Sequence, residues 1–470
     1  MAFLTQPQGY LTLLLFGAAM ILVTWFFTKH KGISGEYFII ADRNVPWWLG
    51  AGSIAASWIW APALFISSQM AYQLGLPGIF WFVAPNIVAI AIYTFLAPKI
   101  REKFPQGHTL PEYISAKLED KNIHKIYFLG YSFYQLMAVA VQLFAGGSLI
   151  LLLTGMPLEY AMLAMAATVF IYAWVSGFES SVVTDFVQML LILAGIALII
   201  PAVLGGAGGF GTVLRGLGGI AGTHLDIFDA GVAFSFGIVT SIGLIAGAIS
   251  DQQFWQRAFA FKKESIVPGF AAGAILFGIV PIALALLGFI AAAPGSGVIL
   301  SQGTDASMIG VLTVAHYLPG IFLLVFLVML LAGLASTLDS ALSAFSALYA
   351  VDTRKFSESN DLATPRKGMV LILVLGFVVA LITAHIQGFG LKQLWWIFNA
   401  VASALIVPTI LSLYWDRLTA RGAFLGIAGA LAIGLPVFVY GNLVDNNTII
   451  VAAALFIIAV NLAVCWAFRK

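Results

Sequence analysis

One apolar stretch contains the run Gly333-Leu-Ala-Ser-Thr-Leu-Asp-Ser-Ala-Leu-Ser343. On a helix, residues three and four apart share a face. Gly333, Ser336, Thr337 and Ser340 therefore form one small, oxygen-bearing stripe. Hydroxyl and carbonyl oxygens are hard ligands, suited to an alkali or alkaline-earth cation and not to metals that favour sulfur or imidazole. One stripe supplies too few oxygens for a complete shell, and Ser and Thr in helices also bond back to their own carbonyls. A partner exists in Gly50-Ala-Gly-Ser-Ile-Ala-Ala-Ser-Trp-Ile-Trp-Ala-Pro62. Pro62 lacks an amide hydrogen and its ring clashes with the preceding turn, so this helix should open near Ala56 to Ile59 and free carbonyl oxygens there. Carbonyls of Ala56 and Ile59 facing the stripe would complete a shell for sodium.

Two carboxyl groups lie in apolar surroundings. Asp339 sits inside the same long run, where an ionised carboxylate costs at least ~2.5 kcal/mol and so needs a cation, a proton or a donor. Asp185, in Ser180-Ser-Val-Val-Thr-Asp-Phe-Val-Gln188, lies near the start of its segment, where it also suits a cap or a water-facing position. Together with Ser340, the two acids are candidates for a second cation site or an ion-release path. For a solute, the candidates are Trp58 and Trp60 beside the expected break, Gln135 and Gln142 two turns apart on one face, and Asn399 beside Trp395 and Trp396. Rings and amides together suit a small, polar, neutral molecule. Trp47, Trp48, Trp395 and Trp396 fit equally well in an interfacial aromatic belt. A second weak segment, Ser241-Ile-Gly-Leu-Ile-Ala-Gly-Ala-Ile-Ser250, has glycines at 243 and 247 that either open the helix or let it pack tightly. Asp251-Gln-Gln-Phe-Trp-Gln-Arg257 reads as a charged, amide-rich anchor at a helix end at least as well as a solute contact.

These groups need rigid elements to hold them, and the rest of the chain supplies little but apolar helices. Of 470 residues 61% are hydrophobic and 9% charged, too few charges to coat a water-soluble particle. A spanning helix takes about 20 apolar residues. Thirteen such spans are expected, at 9–28, 46–74, 77–99, 125–154, 158–175, 180–203, 230–250, 265–293, 318–350, 367–386, 392–413, 420–440 and 447–468. The first is read as a retained helix, because Lys29 and Lys31 follow its apolar run instead of preceding it. Every Lys and Arg except Arg215 and Lys392 falls in alternate gaps, at helix edges beside them, or at the C-terminus. By the positive-inside rule those gaps face the cytoplasm, with the N-terminus outside and the C-terminus inside. Pro111 to Leu118 should form a short amphipathic helix in one such gap. Cys465, the only cysteine, excludes an internal disulfide and suggests no metal cluster. The net charge of +2 gives no reason to expect nucleic acid as a partner. No phosphate-binding loop and no hydrolase constellation is present, so the chain is not read as an enzyme or as an ATP-driven pump.

Taken together, five motifs resemble the sodium:solute symporters: Gly35-Glu-Tyr-Phe with Arg43 and Pro46; the broken helix ending in Ala71-Tyr72; Ser176-Gly-Phe followed by Thr184-Asp185 and Gln188; Asp251-Gln-Gln-Phe-Trp-Gln-Arg257; and Ser336-Thr337 followed by Asp352. The resemblance runs from about residue 36 to the end. It implies an all-α, leucine-transporter-type fold, with repeats at 46–203 and 230–413 inverted in the membrane. One extra helix precedes them at 9–28 and two follow at 420–468. It also implies a sodium site on backbone oxygens of Ala56, Ile59 and Gly333 and on the hydroxyls of Ser336 and Thr337. Asp185, Ser340 and Asp339 match the region where some members hold a second sodium, with Asp339 standing where a hydroxyl is more usual. Sugar-carrying members place a bulky gate at position 247 and an amide at position 63. Gly247 and Ala63 therefore disfavour a sugar and leave position 247 against the solute. Ser57-Trp-Ile-Trp-Ala-Pro-Ala-Leu, Phe80-Trp81 and His108-Thr109-Leu-Pro-Glu112 resemble the urea and polyamine branch.

The expectation is thus a multi-pass carrier of the cell membrane that imports a small polar solute, urea-like in chemistry, together with Na+ by alternating access. It needs no cofactor beyond that coupling ion. The alternatives are proton coupling and a membrane sensor that kept the fold without transport.

Overall fold

The computed structural model describes residues 3–29, 34–301, 304–353, 362–386 and 391–470. Lys31 lies outside the described residues, as does the side chain of Lys392. Among the described residues there are helices and one isolated bridge, Val45 to Phe261, and no strand. Among the described residues, twelve helices are long and apolar enough to cross a membrane. One of them, Pro62–Lys103, is divided by Gly75 (φ 62°, ψ −147°), a backbone conformation that glycine alone adopts without strain. The expected spans 46–74 and 77–99 thus meet at Gly75. The first half of 46–74 is the 12-residue helix Trp47–Trp58, too short to cross alone.

Local chemistry sets several boundaries. Thr5 and Gln8 form a capping box at the start of Gln6–Thr28, and Gly155 ends Lys121–Thr154 in the left-handed region. Thr109 and Glu112 cap Leu110–Leu118, the short helix expected from Pro111. Segment 230–250 takes the tight-packing alternative. Its glycines do not open it: Ile238–Ile249 is a continuous helix after a π-helical turn at Ala233–Gly237. The break comes instead at Ser250 and Asp251, where the Asp251 carboxylate accepts from the Gln253 amide and starts a new helix, Gln252–Ala260.

Helix Ile266–Ala292 packs along both halves of the broken helix. Glycines permit the approach: a Cβ at Gly288 would lie 2.1 Å from the Ser68 carbonyl, and one at Gly273 would lie 2.7 Å from Ile54. At the end of the bundle rich in Lys and Arg, two arginines hold the far end of Gln252–Ala260. Arg43 donates to the carbonyls of Gly107 (2.8 Å), Gln106 (2.9 Å) and Phe259 (3.4 Å). Arg101 donates to those of Ala258 (3.1 Å), Phe261 (3.2 Å) and Phe259.

Candidate functional site

Helix Trp47–Trp58 stops at Ile59 (φ −78°, ψ 64°). The Ile59 amide donates to the carbonyls of Ala55 (3.1 Å) and Ala56 (3.0 Å). The Ala61 amide, released from the helical ladder, donates to Gln142 Oε1 at 3.1 Å, and the chain resumes in a π-helical turn at Pro62–Ile66. Helix Gly320–Asp352 lies across this gap. Thr337 Oγ1 donates to the Ser57 carbonyl at 3.1 Å, and the Ile59 carbonyl oxygen is 3.4 Å from where a Cβ on Gly333 would sit. Ile59, Gly333 and Thr337 therefore meet at one place. Ala56 is one turn back, its carbonyl accepting from Ile59. Ser336 turns its hydroxyl to Asp185 Oδ1 at 2.5 Å. Buried backbone and hydroxyl oxygens converge here, a donor set of the kind a hard cation takes.

Beside this gap lies a fully buried polar network. Asp185 Oδ2 accepts from Ser53 Oγ (2.6 Å) and from Arg257 Nη2 (2.8 Å). Arg257 Nη2 also donates to Ser57 Oγ (2.5 Å) and Ser340 Oγ (2.8 Å), while Nε donates to Ser53 Oγ (3.0 Å) and Nη1 to the Gln253 carbonyl (2.9 Å). Asp339 accepts from Ser181 Oγ (2.6 Å) and Thr184 Oγ1 (3.2 Å), and Ser181 Oγ is 3.0 Å from Ser340 Oγ. Asp185, Asp339 and Ser340 are thus brought together. Ser53, Ser181 and above all Arg257 join them, and none of these three was singled out as a site residue from sequence. A signal was there to find. Ser53 and Ser57 are one turn apart, as are Gln253 and Arg257, so each pair marks a polar face in apolar surroundings.

The aromatic groups enclose a cavity of about 20 Å³ lined by Trp58, Trp60, Pro62, Ala63, Phe82, Asn86, Tyr134, Leu244 and Trp395. One water needs ~10–15 Å³ on this measure, so the space fits a water or a molecule little larger. Trp60 stacks on Phe398 with centroids 5.6 Å apart, and Trp58 Nε1 donates to Asn86 Oδ1 at 2.8 Å. Trp60 Nε1 is buried without a hydrogen-bond partner among the described residues, as is Gln142 Nε2. A Cβ on Gly247 would sit 2.6 Å from Asn399 Oδ1 and 2.7 Å from the Tyr134 hydroxyl, so the glycine makes room for both. Asn399 lines the adjoining cavity with Trp395, Trp396 and Gly243. Gln135 is elsewhere: its Nε2 donates to Asp251 Oδ1 at 2.9 Å, and its Oε1 accepts from Gln253 at 3.3 Å.

Asp251 lies between spans and is fully buried. Burial pushes its carboxyl up to about 7, against the hydrogen bonds from Gln135 and Gln253 that pull it down. The folded state therefore keeps a proton that the unfolded chain, titrating near ~4, has already lost. Stability from this group is fully present below that lower value and disappears as pH rises through about 7. Thermal unfolding in mild detergent should show Tm falling between about pH 4 and about pH 7, and Asp251→Asn should flatten the fall.

Comparison with known proteins completes the picture. The model of the sodium:solute symporter family matches residues 38–429. Probable urea active transporter 1 of Schizosaccharomyces pombe is 27% identical over 308 residues, covering 61% of this chain and 46% of that protein. The rice (Oryza sativa subsp. japonica) urea-proton symporter DUR3 is 23% identical over 483 residues, covering 93% of this chain and 66% of that protein. This chain therefore spans about half to two thirds of the length of those two relatives. The sodium/glucose cotransporter of Vibrio parahaemolyticus is 24% identical, covering 87% of this chain and 81% of that protein. Among solved structures, an outward-open Na+-coupled sialic acid symporter superposes with a TM-score of 0.76 at 19% identity, over 98% of this chain and 99% of that one. The nucleobase-cation symporter Mhp1 in a closed conformation gives 0.57 at 14% identity, over 92% and 94%. These likenesses establish the leucine-transporter-type fold expected from the motifs. With that fold, and with the family model matching most of its length, the chain belongs to the sodium:solute symporter family, whose members are membrane carriers and not enzymes.

Proposed function

We propose that this protein is a sodium-coupled importer of a small, neutral, polar solute with urea-like chemistry, acting by alternating access. The single observation that supports this best is the meeting of the interrupted helix at Ser57 to Ile59 with Gly333 and Thr337. Sodium would bind there, on oxygens of Ala56, Ile59, Gly333, Ser336 and Thr337. The solute would bind between Trp58, Trp60, Tyr134 and Asn399, beside Gly247, and the small cavity favours an amide of a few heavy atoms over a sugar. The basic end would face the cytoplasm, with the N-terminus outside, and the segments 46–203 and 230–413 would be the inverted repeats that rock about the site. Sodium and solute couple if both favour the same occluded state. One sodium moving inward across 100 mV gains about 2.3 kcal/mol, equivalent to a roughly 50-fold solute gradient.

The test is reconstitution into proteoliposomes adsorbed on a solid-supported membrane. Currents are recorded on adding neutral amides (urea first), short-chain carboxylates or amino acids. A current that requires sodium and persists at constant pH supports the reading. The rice relative is named a urea-proton symporter. Proton coupling of that kind would instead give currents in potassium alone that follow the pH gradient. Solute binding without any current would point to a sensor.

A further inference from the structure

We propose that Arg257 is a tethered cation that fills this chain's second cation site, so that the carrier binds one sodium where it would otherwise bind two. The inference rests on the sodium reading above and settles its stoichiometry. A single nitrogen, Nη2, lies within 2.5–2.8 Å of Ser57 Oγ, Asp185 Oδ2 and Ser340 Oγ. Ser53 Oγ closes the same cage, 2.6 Å from that carboxylate oxygen and 3.0 Å from Nε. These oxygens come from three different helices and consist of one carboxylate and hydroxyls. That donor set is all oxygen, of the kind a hard monovalent ion takes. The guanidinium stands at its centre, with the arginine fully buried and its other face against the Phe178 ring at 5.6 Å. Guanidinium is weakly hydrated, so it remains in a dry cage at a lower dehydration cost than an ammonium. Its positive charge repels a second cation.

Arg257 is not part of the helices that build the cage. It projects from Gln252–Ala260, whose Gln253 carbonyl accepts a further bond from the same side chain at 2.9 Å. The cation is therefore delivered by a separate element and does not leave with the solute. Asp339, next to Ser340, meets the hydroxyls of Ser181 and Thr184, and the Tyr172 hydroxyl faces the same carboxyl. Beside it, Gln188 is fully buried, and its Oε1 has no hydrogen-bond partner among the described residues. Removing the guanidinium thus leaves the Asp185 carboxylate and three hydroxyls around a small cage, with the Asp339 carboxyl one hydroxyl away through Ser181, an attractor for an alkali ion.

The experiment is equilibrium binding of 22Na+ to the purified full chain in detergent, with thermal unfolding in NaCl and in KCl alongside. Wild type should bind one sodium with a Hill coefficient of one, and Arg257→Ala should bind two, with a larger gain in Tm from NaCl over KCl. Arg257→Lys, which keeps a tethered charge, should stay at one. If Arg257→Ala does not fold, Arg257→Gln carries the same expectation as the alanine variant. Two sodium ions on the wild type, or the same number on wild type and the neutral variant, overturns the proposal. No sodium on either protein removes both this inference and the sodium reading. No sodium on wild type with one on Arg257→Ala supports the tethered cation and removes the sodium reading alone.

Discussion

Replacing Ser336 and Thr337 together by alanine is expected to weaken the sodium dependence of transport by about 100-fold or more. Thr337 Oγ1 lies across the helix gap on the Ser57 carbonyl, and Ser336 Oγ holds Asp185 Oδ1 at 2.5 Å. The double change removes two hard oxygens from the proposed shell. Hydrogen bonds and ligand contacts to charged groups are each worth roughly 1.5–3 kcal/mol. About 2.8 kcal/mol is a factor of ~100 in affinity. The measurement is a sodium titration of solute-evoked current at saturating solute. Ser346→Ala is the control. That hydroxyl bonds back to the Ser343 carbonyl of its own helix at 2.6 Å and should leave the titration unchanged. Full retention of sodium dependence in the double variant would place the ion elsewhere.

Gly247→Val is expected to abolish solute transport while leaving sodium binding within about twofold of wild type. A Cβ alone would stand 2.6 Å from Asn399 Oδ1 and 2.7 Å from the Tyr134 hydroxyl, closer than real contacts allow. Both groups are side-chain ends, so they can move. Tyr134, however, packs on Trp60 and Phe398 with centroids 5.5 and 5.2 Å away, and displacing it closes the aromatic cavity. A shift of about 1 Å in a positioned group costs roughly 100-fold. Gly247→Ala should show an intermediate loss. Uptake of labelled solute and 22Na+ binding on the same preparation separate the two effects. Normal uptake by the valine variant would mean that the solute passes by another route.

Much of this architecture was legible because lipid imposes harsh rules. Apolar runs of fixed length fold as helices, so most of the expected spans match single long helices among the described residues, and Pro62 marked the break in 46–74 by chemistry alone. Gly75 separates two spans for the same kind of reason: it has φ 62°, and a Cβ there would lie 2.5 Å from the His224 carbonyl. The second weak segment took the tight-packing alternative. Gly243 and Gly247 weaken a helix in isolation, yet tertiary packing used them to admit Asn399 and Tyr134, and the interruption falls at Ser250, the expected end of that span, where Asp251 caps the next helix. Long-range partners were legible only in part. The motif ending in Arg257 stood out, but nothing local says that its side chain reaches Asp185, 72 residues away. Gln135 was read as facing the solute because it shares a helix face with Gln142. Asp251, at the start of the next helix, holds it instead.

The arginine seam at the end of Gln252–Ala260 has a consequence of its own. Arg43 and Arg101 occupy the last carbonyls of that helix, where positive charge is favoured by the backbone dipole. Guanidinium does not titrate in the physiological range, so acidity cannot unfasten the seam. For the short helix to swing away, each abandoned carbonyl must be met by a solvent molecule. Opening of this end is then a wetting event, and osmotic stress from excluded solutes should slow it while leaving the closed form unchanged.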